Sequence, residues 1–305
     1  MSIARPINAD DSDHYEPDYY ILVSGLPRLS DPVQLVQGLT IFPIHEQLSV
    51  FDLAALGAVG FRKWAMLEPF IGQCNNEVKS SSEHGSGSLF DTPNRAWLAI
   101  ALLVVRGYGY AQGLAMNTYS WRDVPIPGTS STRKDLPRFR GNLLDLHVSI
   151  MAVKEPPSEP FETSVEWLAT VYPVADRLCR ESPGFLLALT AANDWRFSQD
   201  IRSAIARIWC GIEAVFGVSQ ELTYRIATVG SSILEPRGSR RIERYQEIKH
   251  VYSLRSKAVH GSKMSHEKLA VAIDESQAFL VELLIHVLDR GAMYSDKDFE
   301  LAVLG

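Results

Sequence analysis

Cysteine is scarce in this chain: three in 305 residues, Cys74, Cys179 and Cys210. They are isolated, odd in number and without the paired spacing of a zinc site or a disulfide framework. Packed thiols in a reducing cytoplasm are therefore expected, with Cys179 and Cys210 on helix faces. Long apolar runs are missing as well. The longest, residues 96–105, falls far short of the roughly 18 residues that span a bilayer, so no membrane partner is expected. The opening MSIARPINADDSDHYEPD lacks the basic-then-apolar order of a secretory leader, and residues 1–18 are read as a mobile acidic tail. Several chemistries have no motif here. There is no HExxH, no paired-carboxylate arrangement and no serine triad. The GYGYAQG run (107–113) follows a helical stretch instead of a strand, and GSGS (85–88) lacks the strand-turn-helix setting of a nucleophile elbow. No metal and no cofactor are expected.

The length suggests two domains at about 150 residues each. Residues 19–45 hold two strand-like runs, YYILVSG and VQLVQGLTIF, and residues 49–67 look helical. A loop at 80–88 follows, then a helix opened by Thr92-Pro93 with the core AWLAIALLVV. Residues 121–141 read as a long loop, whose Arg133, Lys134, Arg138 and Arg140 are either solvated or part of an RNA-facing surface, and 143–151 as a closing strand. Residues 19–153 are thus expected to form an α+β N-terminal domain of unknown role. The run KEPPSEP (154–160) marks the boundary. Beyond it, residues 160–291 should form an all-α bundle of four or five helices. Thr163 and Glu166 read as a capping box, Pro173 as a kink, Ser182-Pro183 as the next start. Gly217, Ser219, Ser265 and Gly291 punctuate the rest. His286 reads as a packed or bridging histidine on the last helix.

What the sequence does hold is a basic stretch. Residues 237–263, RGSRRIERYQEIKHVYSLRSKAVHGSK, carry eight basic and two acidic residues in a chain of net charge −6. Such a concentration of positive charge suits a polyanion, RNA above all, though a solvated helix face has the same composition. Tyr245, Ile248, Tyr252 and Val259 recur at helical spacing, with Ser239 as the expected N-cap and Gly261 as the stop. Arg255 falls on that stripe, and a guanidinium on a packed face requires an anion. His260 lies in the last turn, where the helix dipole attracts positive charge. Arg255 could hold phosphate oxygens while His260 moves a proton, the two roles RNA cleavage needs. Alternatively Arg255 pairs with Glu213 in a purely architectural network and His260 is only a cap. Tyr252 either stacks on a base or stays in the core. Five residues turn about 500°, a net 140°, so Arg255 and His260 do not share a face of one straight helix.

The run Tyr252-Ser-Leu-Arg255-Ser-Lys-Ala-Val-His260-Gly261 resembles the R-x4-6-H motif of HEPN domains, in particular the Apea-like branch. The resemblance extends to IWCGIEAVFG (208–217) and ELTYRIA (221–227) and covers roughly residues 160–290. It implies an HEPN-type bundle with Arg255 and His260 catalytic, and with Ser256 at the polar position after the motif arginine. It further implies a homodimer that joins two motifs into one site, and a metal-independent endoribonuclease leaving a 2′,3′-cyclic phosphate, in a toxin or antiphage effector. Glu213 and Tyr252 would support that site, while Arg240, Arg241, Arg244, Lys249, Lys257 and Lys263 would bind RNA. A regulatory protein partner, or restraint by the N-terminal domain, fits the same picture. The alternatives are a non-catalytic HEPN module for RNA binding or dimerisation, and a scaffold whose basic helix holds an acidic protein.

Overall fold

Strand β1, Tyr19–Ser24, is the spine of the N-terminal unit. The computed structural model describes residues 18–55, 67–81, 92–124, 142–143, 155–217 and 222–304. The acidic tail expected at 1–18 up to residue 17, most of the 80–88 loop, the 121–141 loop beyond Val124, the strand expected at 143–151 beyond Leu143 and the Ser219 cap lie outside the described residues. So does the middle of the helix expected over 49–67, of which Val50–Ala55 (α1) is described. The chain divides into two compact units, residues 1–146 with 154–173 and residues 147–153 with 174–305. The division thus falls at Pro173, and the described part of the proline-rich segment, 155–160, lies with the first unit.

The first unit is built on an antiparallel sheet of order β2-β3-β4-β1-β5-β6. The run expected as one strand, VQLVQGLTIF, is a hairpin. β2 (Val33–Val36) turns back as β3 (Leu39–Pro43) through Gln37 and Gly38. Gly38 sits at φ 73°, a left-handed conformation that a side chain disfavours. Two strands have no counterpart in the expectations, β4 (Asn76–Ser80) and β5 (Gln112–Asn117). Of the GYGYAQG run, residues 107–111 form the turn that leads into β5, and Gln112 and Gly113 open that strand. β6 is the two residues Asn142–Leu143. Helix α3, Thr92–Arg106, packs on β4, β1 and β5, and its residues 98–105 are all buried. A second cluster, with Leu22, Leu53, Leu114 and Trp121, joins β1 and β5 to α1 and the short helix α2 (Glu68–Ile71).

β4 escapes a reading by hydropathy because it buries polar residues. Asn76 and Glu77 are fully buried. Asn76 accepts from the Leu29 amide and donates to the Pro27 carbonyl, at 3.1 and 2.7 Å. Glu77 accepts from Ser120 Oγ, the Trp121 amide and Arg122 Nε at 2.7–2.8 Å. Each polar group is therefore paired, which is what allows it to be buried. Burial still pushes the Glu77 carboxyl above the usual range, outweighing those donors.

The remainder is helical. α4 (Phe161–Glu181) contains Pro173 and begins at Phe161. Thr163 therefore lies inside the first turn, its amide bonded to the Pro160 carbonyl, and the capping box expected from Thr163 and Glu166 is not what starts it. α5 (Pro183–Asp194) is capped by Ser182, whose Oγ accepts from the Phe185 amide. α6 (Ile201–Phe216) is capped by Asp200, and it ends at Gly217 in the left-handed conformation. α7 (Leu222–Leu234), α8 (Ser239–Val259) and α9 (His266–Arg290) follow. Gly238, not Ser239, occupies the N-cap of α8, while Ser265 and Gly291 cap α9 as expected. The α9 stripe from Leu269 to Leu288 is buried. A further helix, α10 (Asp296–Leu304), extends the unit beyond residue 291. Among the described residues, 160–291 thus hold six α-helices where four or five were expected, and α10 is a seventh beyond them. Cys179 is buried, and burial raises its thiol to about 12, whereas Cys210 is exposed and not packed. His286 bridges to Tyr294, whose hydroxyl lies 2.5 Å from Nδ1.

Candidate functional site

The site is assembled from α6, α8 and α9, so its positions follow from how these helices pack. Trp209 of α6 is fully buried, and its indole N–H donates to Ser276 Oγ of α9 at 2.8 Å. Ser276 in turn donates to the Ala272 carbonyl at 2.6 Å. Tyr252 of α8 meets Trp209 edge to face, with ring centroids 5.1 Å apart. The Arg255 guanidinium lies over the Tyr252 ring at 5.5 Å, and its Nη2 donates to Glu213 Oε1 at 2.8 Å. Arg255 and Glu213 keep 18% and 24% of their side-chain exposure. The Arg255 Nε is buried without a hydrogen-bond partner. Arg255, Glu213, Tyr252 and Trp209 therefore form one continuous stack from the surface to the core.

The buried face of α8 differs from the stripe expected from periodicity. Ile248, Val251, Leu254 and Ala258 are buried, whereas Val259 is 41% exposed and Tyr245 and Tyr252 are half-buried. The face is rotated by one residue position, which puts Arg255 on its margin. A margin position allows a guanidinium to reach both a carboxylate and solvent.

His260 is the C-cap of α8, with φ −83° and ψ 12°. Its amide bonds to the Ser256 carbonyl, and its imidazole is exposed, with no hydrogen bond or ion pair to the described residues. The turn beyond it is closed in the manner of a Schellman motif. The Gly261 amide donates to Ala258, the Ser262 amide donates to Lys257, and Gly261 takes φ 74°. Arg202, from the first turn of α6, clamps this turn. Its Nη1 donates to the Ala258 carbonyl at 2.5 Å and its Nη2 to the Ser262 carbonyl at 2.8 Å. No sequence signal marks Arg202, because its partners are backbone oxygens 56 and 60 residues away. Ser256 is half-buried. The structure thus brings Arg255, Glu213 and Tyr252 together. It leaves His260 on a separate, rigidly held turn.

The basic residues fall into two groups. Arg240 pairs with Glu247 at 2.9 Å, Glu243 at 3.3 Å and Glu235 at 3.5 Å. Arg244 pairs with Glu247 and Glu282. The hydrogen bond from Arg244, with Arg240 adding to it, holds the Glu247 carboxyl below its usual range. Arg241 donates to the carbonyls of Glu235 and Ala302, and Arg237 to that of Val303. These last contacts place cations at the C-terminal ends of α7 and α10, where the dipole is negative. Arg240, Arg241 and Arg244, expected to face RNA, are therefore committed to partners inside the unit. Lys249, Lys257 and Lys263 are exposed and form no ion pair with the described residues, although the Lys249 ammonium lies 5.8 Å from the Tyr245 ring. Unmatched positive charge is thus shifted towards the end of α8 that bears His260.

No protein-family model, curated protein or solved structure matches the chain. Among the described residues no group of three or more His, Cys, Asp or Glu is placed to hold a metal, and no helix is long and apolar enough to cross a membrane.

Proposed function

We propose that the helical unit is an HEPN-type endoribonuclease in which Arg255 stabilises the phosphate and His260 transfers the proton. The observation that carries this reading is His260 itself: an exposed imidazole with no hydrogen bond or ion pair to the described residues, on a turn fixed by Arg202 and Gly261, near Lys257 and Lys263, which form no ion pair with the described residues either. A general acid or base must be accessible and held in place, and the site meets both conditions. Arg255 supplies a fork that Glu213 orients through one of its nitrogens. Because the two groups diverge by a net turn of about 140° on one helix, a phosphate is held by Arg255 of one protomer and His260 of a second. The reading thus includes a homodimer with a composite site, acting in the cytoplasm as a toxin or defence effector under restraint by the N-terminal unit or a protein partner.

The test is cleavage of a labelled RNA by the full chain in excess chelator. His260→Ala should abolish cleavage without changing the circular dichroism or the sedimentation of the dimer. Mixing Arg255→Ala with His260→Ala chains should restore part of the activity, since one composite site per mixed dimer is intact. A wild-type chain that is monomeric at micromolar concentration and leaves RNA uncut refutes the proposal. The Arg255–Glu213 ion pair favours one second reading, a non-catalytic HEPN module for RNA binding or dimerisation in which that pair is architectural. RNA retention without cleavage would select it.

A further inference from the structure

Between the last turns of α8 and the first turns of α9 lies a groove of about 610 Å³, within the range of ligand-sized clefts. Its apolar surface comes from Leu254, Met264 and Val271, and its rim carries Lys257, Lys263 and Lys268. Val271 is 45% exposed, a large apolar side chain left uncovered at the start of a helix. The three lysines are exposed and none forms an ion pair with the described residues. Among the described residues Glu267 is the one carboxylate that lines the groove, and His250 lines it as well. At the other end of α8, Arg240 and Arg244 have theirs matched by Glu235, Glu243, Glu247 and Glu282.

We propose that this groove seats a short single-stranded RNA segment, with its phosphates along Lys257, Lys263 and Lys268 and its bases over Leu254, Met264 and Val271. The ligand must be both anionic and apolar on one side, and an unpaired nucleotide chain is both. A duplex hides its base faces, so it would leave Val271 uncovered. An acidic peptide is better matched by arginine forks, and the rim is lysine, a point charge suited to phosphate without fixed register. The inference extends the ribonuclease reading by naming where the strand lies, and it can fail separately from it.

The experiment is fluorescence anisotropy of a labelled oligouridylate with the full-length His260→Ala chain, which leaves the probe uncut, over a range of salt. Each lysine that neutralises a phosphate adds about 0.7 to the slope of log affinity against log salt. Replacing Lys257, Lys263 and Lys268 together by alanine should flatten the slope by about 2 and weaken binding at least tenfold. Replacing Arg240 and Arg244 should leave the slope unchanged. Val271→Glu, at an exposed position, should also weaken binding with the helical signal intact. An unchanged slope in the triple-lysine variant overturns the proposal, as does stronger binding of the duplex form or of a polyglutamate peptide. If the wild type binds through these lysines yet never cleaves, the groove assignment stands and the ribonuclease reading fails. Cleavage that continues with an unchanged slope in the triple variant gives the reverse.

Discussion

The ion pair between Arg255 and Glu213 can be tested by a double-mutant cycle with Arg255→Ala, Glu213→Ala and the combined variant. Unit charges about 4 Å apart attract by about 4 kcal/mol at an effective dielectric of about 20. Both side chains have given up most of their hydration, retaining 18% and 24% exposure, which offsets more than half of that attraction. Fully exposed pairs contribute roughly 0.2–1 kcal/mol, and breaking a buried one costs roughly 3–5 kcal/mol. This pair lies between those limits, so its coupling energy should be about 1–2 kcal/mol. Arg255→Ala also removes the contact with the Tyr252 ring at 5.5 Å, worth about 0.5–1 kcal/mol, for a total of about 1.5–3 kcal/mol. Glu213→Ala leaves a guanidinium whose Nε already has no partner, and should cost about 2 kcal/mol. Urea unfolding of the four proteins, followed by far-UV circular dichroism, gives the coupling directly. A coupling below about 0.3 kcal/mol would mean that Glu213 does not hold Arg255 in solution, and the claim that it orients the fork would be wrong.

Three further outcomes follow from the packing and the caps. At Gly211 an added Cβ would meet the Ala191 Cβ at 2.8 Å and the Ala188 Cα at 3.3 Å, so Gly211→Ala should lower stability by about 1–2 kcal/mol, the overpacking cost exceeding the roughly 1 kcal/mol gain in helix propensity; a stabilised variant in thermal melts would show that α5 and α6 are further apart. Asp200 and Asp298 are held below the usual carboxylate range, Asp200 first by the Ser203 hydroxyl and Asp298 first by the Ser295 hydroxyl. Their folded pKa values lie under their unfolded ones, so the stability they contribute is present above about pH 4 and is lost as pH falls through the folded value. Melting temperatures of Asp200→Asn and Asp298→Asn should therefore fall less steeply on acidification than those of the wild type, and parallel curves would contradict this. Glu77 has the opposite sign: burial raises its pKa, so its contribution is present below the unfolded value and is lost as pH rises through the folded one. Glu77→Gln should accordingly reduce the loss of stability on going from mildly acidic to neutral pH; an unaltered pH profile would show that its three donors balance burial, and a change of opposite sign that they prevail.

Much of the helical unit was legible because its signals are local. Ser182-Pro183, Gly217, Ser265 and Gly291 each act within a turn of their own position, and each ends or starts a helix where the sequence put it. The same kind of signal is present for α10. Ser295 and Asp298 form a reciprocal cap, in which Oδ2 of Asp298 accepts from the Ser295 amide at 2.8 Å and Ser295 Oγ accepts from the Asp298 amide at 3.3 Å. β4 was hidden for a different reason. Its fully buried Asn76 and Glu77 read as surface residues until Pro27, Leu29, Ser120 and Trp121 are seen to supply their partners.

The charge of α8 shows where a linear reading stops. Counting residues treats Arg240, Arg244, Lys257 and Lys263 as equal members of one basic stretch. In the fold, Glu235 and Glu282, which lie outside that stretch, join Glu243 and Glu247 in neutralising the arginines near its start. The lysines near its end meet no carboxylate among the described residues. An anion approaching α8 is therefore directed by three-dimensional pairing towards the turn that holds His260. Reversing this arrangement offers a direct trial: Glu282→Gln with Glu235→Gln would free Arg240 and Arg244 in part and create a second cationic end. Such a chain should bind an oligouridylate with a steeper salt slope, by up to about 1.4 for two added phosphate contacts, without faster cleavage, because the new contacts lie away from His260. Faster cleavage in proportion to the added affinity would mean that the two ends of α8 serve one site.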